Sequence, residues 1–293
     1  MTTPQSASRS APDAGDLVVQ APEIGTPELK ELAKLAGARS IVALPGGGAQ
    51  AFRLAEAGNA DEVARYCARA GFDFGFVPLD QRLDRVPLVA MDMDSTLIMI
   101  ECVDEIAELK GIKREIAAIT ASAMRGEIDF VQSLRQRIAL LAGTDLSGLE
   151  RVYDERLRLS PGAERMLSGF KRIGAKTLLV SGGFTFFTDR LRARLGFDDT
   201  LANTLEVMDG RLTGRLVGSI VDGAAKAERF ARLAGELAGA DSLTVAIGDG
   251  ANDLPMLEHA DVSIAYHAKP VVSARTTYAI EHCGLDAVLN LFV

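Results

Sequence analysis

Cysteine and histidine are scarce in this 293-residue chain, with three of each. The cysteines (Cys67, Cys102, Cys283) are far apart and odd in number, which excludes a disulfide framework and a CxxC zinc motif and points to a reducing, cytoplasmic compartment. The histidines (His259, His267, His282) all fall near the C-terminal end, which speaks against a zinc enzyme built on several imidazoles. Basic charge is short as well: 32 Lys and Arg stand against 40 Asp and Glu, a net of −8, too acidic for a dedicated nucleic-acid binder. No run of about 18 apolar residues occurs, so no membrane-spanning helix is expected, and no secretory h-region stands near the start. What remains is an apolar share of 48%, enough for a sizeable core, and a length that suggests two units. Any chemistry has to be sought among the acidic residues.

The first 16 residues, rich in Ser, Pro and Ala, read as a disordered tail. Residues 17–80 read as a small α+β unit. LVVQ, SIVALP, AQAFRLAEA and FDFGFV are strand-like, and PGGG is a turn. PELKELAKLAG is a helix that Thr26 can cap, and ADEVARYCARAG is a second helix with Val63, Tyr66 and Cys67 on one face. The order βαββαβ is the ferredoxin-like plan, shared by amino-acid-sensing domains of the ACT type. A packing or dimerisation module fits the same order equally well. DQRLDR reads as a charged linker.

From residue 86 the pattern changes. VPLVAMDMD, KTLLVSGG, SLTVAIGDG and DVSIAY are apolar runs of the kind expected for parallel strands buried on both faces. Helical segments near 161–173, 184–195, 223–238 and 254–260 alternate with them. This predicts a doubly wound, Rossmann-like parallel α/β sheet over 86–100 and 161–293. Residues 101–160 are mainly helical and read as a cap inserted after the first strand. TLEVMDGRLTGRLVG reads as a hairpin around its Asp-Gly turn.

Three of these runs end in polar residues, and ligands of open α/β sheets bind beyond the carboxyl ends of the strands. The ends carry Asp92 and Asp94, Ser181 and Gly182, and the series Asp249, Asn252 and Asp253. Four carboxylates in one mouth repel one another unless a cation is present. An all-oxygen donor set suits a hard ion, most simply Mg2+. Lys226, in the first turn of GAAKAERF, opposes the helix dipole there, but it suits an anion if it faces the same mouth.

MDMDSTLIMIECVDEIA, AMRGEIDFVQSLRQR, LSPGAE, VSGGFTFF and GDGANDLPML resemble the motifs of the phosphoserine phosphatase family within the haloacid dehalogenase-like (HAD) superfamily, over residues 86–292. The resemblance implies Mg2+-dependent hydrolysis of O-phospho-L-serine through an aspartyl-phosphate, the last step of serine biosynthesis. It makes Asp92 the nucleophile and Asp94 the general acid and base. Ser181, Gly182 and Lys226 would hold the phosphoryl group, with Asn252 orienting phosphate or water. Asp92, the Asp94 carbonyl and Asp249 would ligate the metal, supported by Asp253. Glu101 would face the substrate ammonium and Arg137 its carboxylate, with Met124 and Phe130 closing over them. Apart from the resemblance, Glu101 reads as a helix-dipole partner, Arg137 as part of a solvated face, and Met124 and Phe130 as core residues. The three histidines match no site position, and Cys102 reads as cap packing. Met93 stands where Phe is commoner, a swap between apolar residues.

Two other readings stay open. One is a related phosphatase or phosphotransferase acting on another phosphorylated small hydroxy-amino acid. The other is a protein that chiefly senses amino acids through residues 17–79. The partners implied are a small phosphorylated substrate, no nucleic acid and no membrane. Units of the ACT type often pair, so a homodimer and an amino-acid effector at the N-terminal unit are further expectations.

Overall fold

The computed structural model describes residues 15–293 except Gly46 and Ala238. The expected tail lies outside the described residues as far as residue 14. Gly15 and Asp16, read as part of that tail, instead open the first strand.

The N-terminal unit runs β1 (Gly15–Ala21), α1 (Thr26–Leu35), β2 (Ser40–Ala43), β3 (Gln50–Ala55), α2 (Ala60–Ala70) and β4 (Asp73–Pro78). Its antiparallel sheet has the order β2-β3-β1-β4. Thr26 does not cap α1. Gly25 holds the cap position with extended backbone and no side-chain bond, and its carbonyl accepts from Leu29 N–H. The two-residue period of β1 decides how the unit is placed. Leu17 and Val19 face α1 and α2, packing with Leu32, Leu54, Val63 and Cys67. Val18 faces the other way and joins the core of the second sheet together with Val77.

The second sheet is built from β5 (Leu88–Asp92), β6 (Lys176–Phe184), β7 (Asp199–Met208), β8 (Arg211–Val217), β9 (Thr244–Gly248), β10 (Val262–Tyr266) and β11 (Tyr278–Ile280). Their order is β11-β10-β9-β5-β6-β7-β8, parallel throughout except for the β7–β8 hairpin. Every residue of β5, β9 and β10 is buried, as the apolar runs require. Asp209 and Gly210 turn the hairpin with φ of 51° and 75°, backbone that Asp-Gly tolerates. The helices are α7 (Ala163–Arg172), α8 (Thr185–Leu195), α9 (Gly223–Leu237) and the single turns α10 (Leu254–Leu257) and α11 (Pro270–Ser273).

Between β5 and α7 stand the cap helices α3 (Cys102–Lys110), α4 (Lys113–Met124), α5 (Phe130–Leu140) and α6 (Leu146–Arg151), the last running into a π-helical turn. Asp129 and Gln132 form a capping box that starts α5. Ile106, Ile116, Leu134, Ile138 and Leu149 of the cap share one core with Met91 of β5 and with Met93 and Leu97 just after it. The loop after α5 is also bonded to the hairpin. Gly143 N–H donates to Leu212 O at 2.7 Å, Leu212 N–H to Thr144 O at 2.9 Å and Leu146 N–H to Gly210 O at 3.0 Å.

The N-terminal sheet is fastened to the main sheet by polar contacts. Asp73 accepts backbone N–H bonds from Glu281, His282 and Cys283. Tyr278 O–H donates to Phe76 O, and its ring lies so close that a Cβ on Gly75 would meet it at 2.5 Å. The segment read as a charged linker is partly internal: Gln81 is buried and donates to Leu291 O at 2.5 Å. Among the described residues no helix is long and apolar enough to cross a membrane.

Candidate active site

The carboxyl ends of β5, β6 and β9 meet in one mouth, because β5 lies between the other two. Asp92 is the last residue of β5 and is buried. Lys226, three residues into α9, has 1% of its surface exposed. Its Nζ donates to Asp92 Oδ1 at 2.5 Å and to Asp253 Oδ1 at 2.7 Å. The apparent conflict with the helix dipole is thus resolved by two anions at the ammonium.

Asp92, Asp249 and Asp253 each offer a carboxylate oxygen within 4.8 Å of the others. Three carboxylates against one lysine leave negative charge in excess. Burial pushes the Asp92 carboxyl well above its usual range, and Asp253 adds to this, against the pull of Lys226. Asp249 is raised to about 7 by burial and then by Asp253. Burial alone would lower Lys226, yet Asp253 and Asp92 outweigh it and hold the ammonium charged. An all-oxygen set of this charge fits a hard divalent cation.

Asp94 lies just past the strand, where its Oδ1 accepts the Cys102 N–H at 3.3 Å. Burial, then the neighbouring charge of Glu101, raises its carboxyl to about 7. A Cβ on Gly183 would stand 2.8 Å from Asp94 Oδ2, so glycine leaves the room that this carboxylate occupies. Ser181 is fully buried, and its Oγ accepts the Gly183 N–H at 2.8 Å. Gly182 is reached from the cap, where Phe130 Cζ would lie 3.2 Å from a Cβ placed there. Asn252 Nδ2 donates to Asp253 Oδ1 at 3.3 Å.

Glu101 stands at the rim, open to solvent on one side, and accepts from Ser95 Oγ at 2.8 Å. The protein mass around it still raises its carboxyl, against that hydrogen bond. Arg137, on α5, keeps its Nε buried without a hydrogen-bond partner, and burial lowers its guanidinium against the pull of Asp104 and Glu101. Met124 is different. It ends α4 with 69% of its surface exposed, and α4 buries Ile116 alone, so this end projects from the body instead of closing over the mouth.

A family model described as haloacid dehalogenase-like hydrolase matches residues 89–258. The chain belongs to the haloacid dehalogenase-like hydrolase family. A second model, described as a domain of unknown function (DUF4072), matches residues 17–65. A phosphoserine phosphatase of Polaromonas sp. (strain JS666) is 54% identical over 217 residues, covering 72% of this chain and 92% of that protein. The solved structure of a HAD family hydrolase from Salmonella enterica serovar Typhi superposes with a TM-score of 0.83 at 35% identity, covering 94% of this chain and 98% of that one. A structure described as a phospho-aspartyl intermediate analogue of phosphoserine phosphatase superposes with a TM-score of 0.65 at 36% identity, covering 71% of this chain and 100% of that one.

Several residues around this hydrolase site escaped the sequence reading. Thr96 Oγ1 donates to Asp249 Oδ1 at 3.1 Å. Asn203, on β7, is buried, donates to Gly182 O at 2.9 Å and accepts from Val221 N–H at 2.8 Å. Cys102 does more than pack, since its amide holds Asp94. A buried Asn on a strand is the one signal a sequence could have offered, and it shows only once burial is known.

Proposed function

We propose that this chain is a phosphoserine phosphatase, hydrolysing O-phospho-L-serine to L-serine and phosphate. The observation that carries the reading is the buried Asp92–Lys226–Asp253 cluster under a cap bearing Glu101 and Arg137. The cluster suits a phosphoryl dianion, and the cap pair suits a zwitterion. The naming of the Polaromonas relative supports the same substrate.

In this reading an Asp92 oxygen attacks phosphorus in line with the ester bond. The leaving serine oxygen takes its proton from Asp94, whose carboxyl near pH 7 is suited both to give and to regain one. Water then attacks the phosphorus of the aspartyl-phosphate, Asp94 takes the water proton, and phosphate leaves with Asp92 restored. Lys226, Ser181 and the Gly182 amide bind phosphoryl oxygens, and Asn252 orients phosphate or water. Arg137 grips the substrate carboxylate, a partner its orphaned Nε lacks. Glu101 receives the ammonium, and Phe130 excludes solvent; Met124 would have to move inward to join it. Asp92, the Asp94 carbonyl, Asp249 and Asp253 would hold Mg2+, which supplies neutralisation of phosphoryl charge.

The proposed division is 17–80 for a ferredoxin-like, ACT-like unit, 86–100 and 161–293 for the catalytic core and 101–160 for the cap. The element order and the sheet order β2-β3-β1-β4 support the first of these. A homodimer and an amino-acid effector are proposals that accompany it, as is a cytoplasmic setting.

The test is phosphate release from phospho-amino acids and sugar phosphates, with Mg2+ and with chelator. Phosphoserine is expected to be preferred, and only with the metal. Preference for a sugar phosphate would overturn the roles of Glu101 and Arg137. Asp92→Asn is expected to leave less than about one-thousandth of the turnover; substantial activity in that variant would remove Asp92 as nucleophile.

A further inference from the structure

A cavity of about 490 Å3 opens between part of the N-terminal unit and the main sheet, outside the carboxylate cluster. Gly48, from the loop before β3, lines one side. Ser95 and Met99 line the side towards the mouth, and His267, His282 and Asp286 complete it. None of the last three takes part in the proposed chemistry.

Asp286 is the acid of this cavity. Its side chain is 10% exposed, and its charged partner, Arg165, stands 3.8 Å away and is itself half exposed. Among the described residues no hydrogen bond reaches the carboxylate. Backbone closes round it: a Cβ on Gly47 or Gly162 would fall 1.5 or 2.1 Å from its oxygens. The carboxylate opens onto the cavity, and an ammonium group there would supply three donors with the opposite charge. Met99 and the ring of Tyr266 give the walls apolar surface.

We infer that this inter-unit cavity binds a small ammonium-bearing molecule with a compact apolar body, its ammonium on Asp286. The site is also wired to the mouth. Ser95 lines the cavity while its Oγ holds Glu101. Ser95 has a φ of 57°, a conformation that non-glycine residues seldom adopt, so its side chain keeps this position at a cost. A ligand against Ser95 and Met99 therefore bears on Glu101. This second half rests on the phosphatase reading of Glu101; the binding itself does not.

The three histidines supply the test, because His267 and His282 line the cavity while His259 is bonded elsewhere, to Pro255 O. Ring signals of the full chain are followed by 1H–13C NMR during titration with isobutylamine, L-valine and isobutyrate. Isobutylamine is expected to shift His267 and His282 saturably and leave His259 unmoved, and isobutyrate to shift none. The L-valine arm decides between amino acids and plain amines as the natural class. Gly48→Trp enters open space at its Cβ and is expected to abolish the response. Asp286→Asn is expected to weaken it about tenfold. Shifts that survive both substitutions, that include His259, or that isobutyrate reproduces overturn the site. At saturating isobutylamine, KM for phosphoserine is expected to rise about fivefold in the wild type and not in Gly48→Trp. An unchanged KM beside the full histidine response overturns the link to Glu101. Glu101→Gln is run in parallel: if it leaves KM unchanged, the reading of Glu101 has failed and the cavity has not.

Discussion

Lys226 lies between two buried carboxylates, and its removal leaves them facing each other. Lys226→Met is expected to cost about 3–5 kcal/mol of stability in chemical denaturation without metal, and to lose turnover as well. The raised carboxyls of Asp94 and Asp249 give a pH signature. Each holds its proton more tightly in the folded chain than in the unfolded one. The stability this contributes is complete below about pH 4 and is lost as pH rises towards about 7. A divalent cation requires the ionised form, so its affinity moves the opposite way. Mg2+ is therefore expected to raise Tm more at pH 8 than at pH 5.5; an equal gain at both would show that the Asp249 carboxylate does not bind it. Gly183→Ala pushes a methyl group against Asp94 Oδ2 and is expected to lower kcat about 100-fold while Tm changes little. Asp92, Asp94, Asp249 and Asp253 were legible as candidates because strand ends converge in this architecture, and Lys226 because a carboxylate-lined mouth offers a partner for a lysine at a helix start. Thr96, whose partner Asp249 lies 153 residues away, was not, because an isolated Thr carries no pattern.

Among elements, the fully buried strands β5, β9 and β10 were legible from their apolar runs, and the helices between β5 and α7 from the break in the strand–helix alternation. β11 was missed: three residues are too few to show a period. The place of β7 in the parallel sheet was missed too, because β7 pairs with β6 at one end and turns into the hairpin at the other. Within the cap, α5 and α4 differ. α5 buries Ser133, Leu134 and Ile138 and carries Arg137 on a fixed frame, whereas α4 buries Ile116 alone. That difference is why Phe130 reaches Gly182 while Met124 stays in solvent. Arg137→Lys keeps the charge and removes the planar fork, so it is expected to raise KM for phosphoserine more than it lowers kcat. A change confined to kcat in steady-state assays would place Arg137 outside substrate binding.

For the molecule as a whole, the two sheets act as one body because polar atoms, and not only Val18 and Val77, join them. Asp73→Ala strands three backbone donors at residues 281–283 and is expected to cost about 3 kcal/mol, read as a lower denaturation midpoint. The sequence offered no sign of this, since Asp73 looks like any strand-end acid until its partners some 208 to 210 residues on are placed beside it. The bonds from Gly143, Leu212 and Leu146 have a consequence in time. They stitch the far end of the cap to the hairpin, so the exposed corner between α4 and α5 is expected to open first. Amide protons at 121–128 should then exchange with solvent many times faster than those of Gly143 and Leu146, and substrate would enter by the corner that opens soonest.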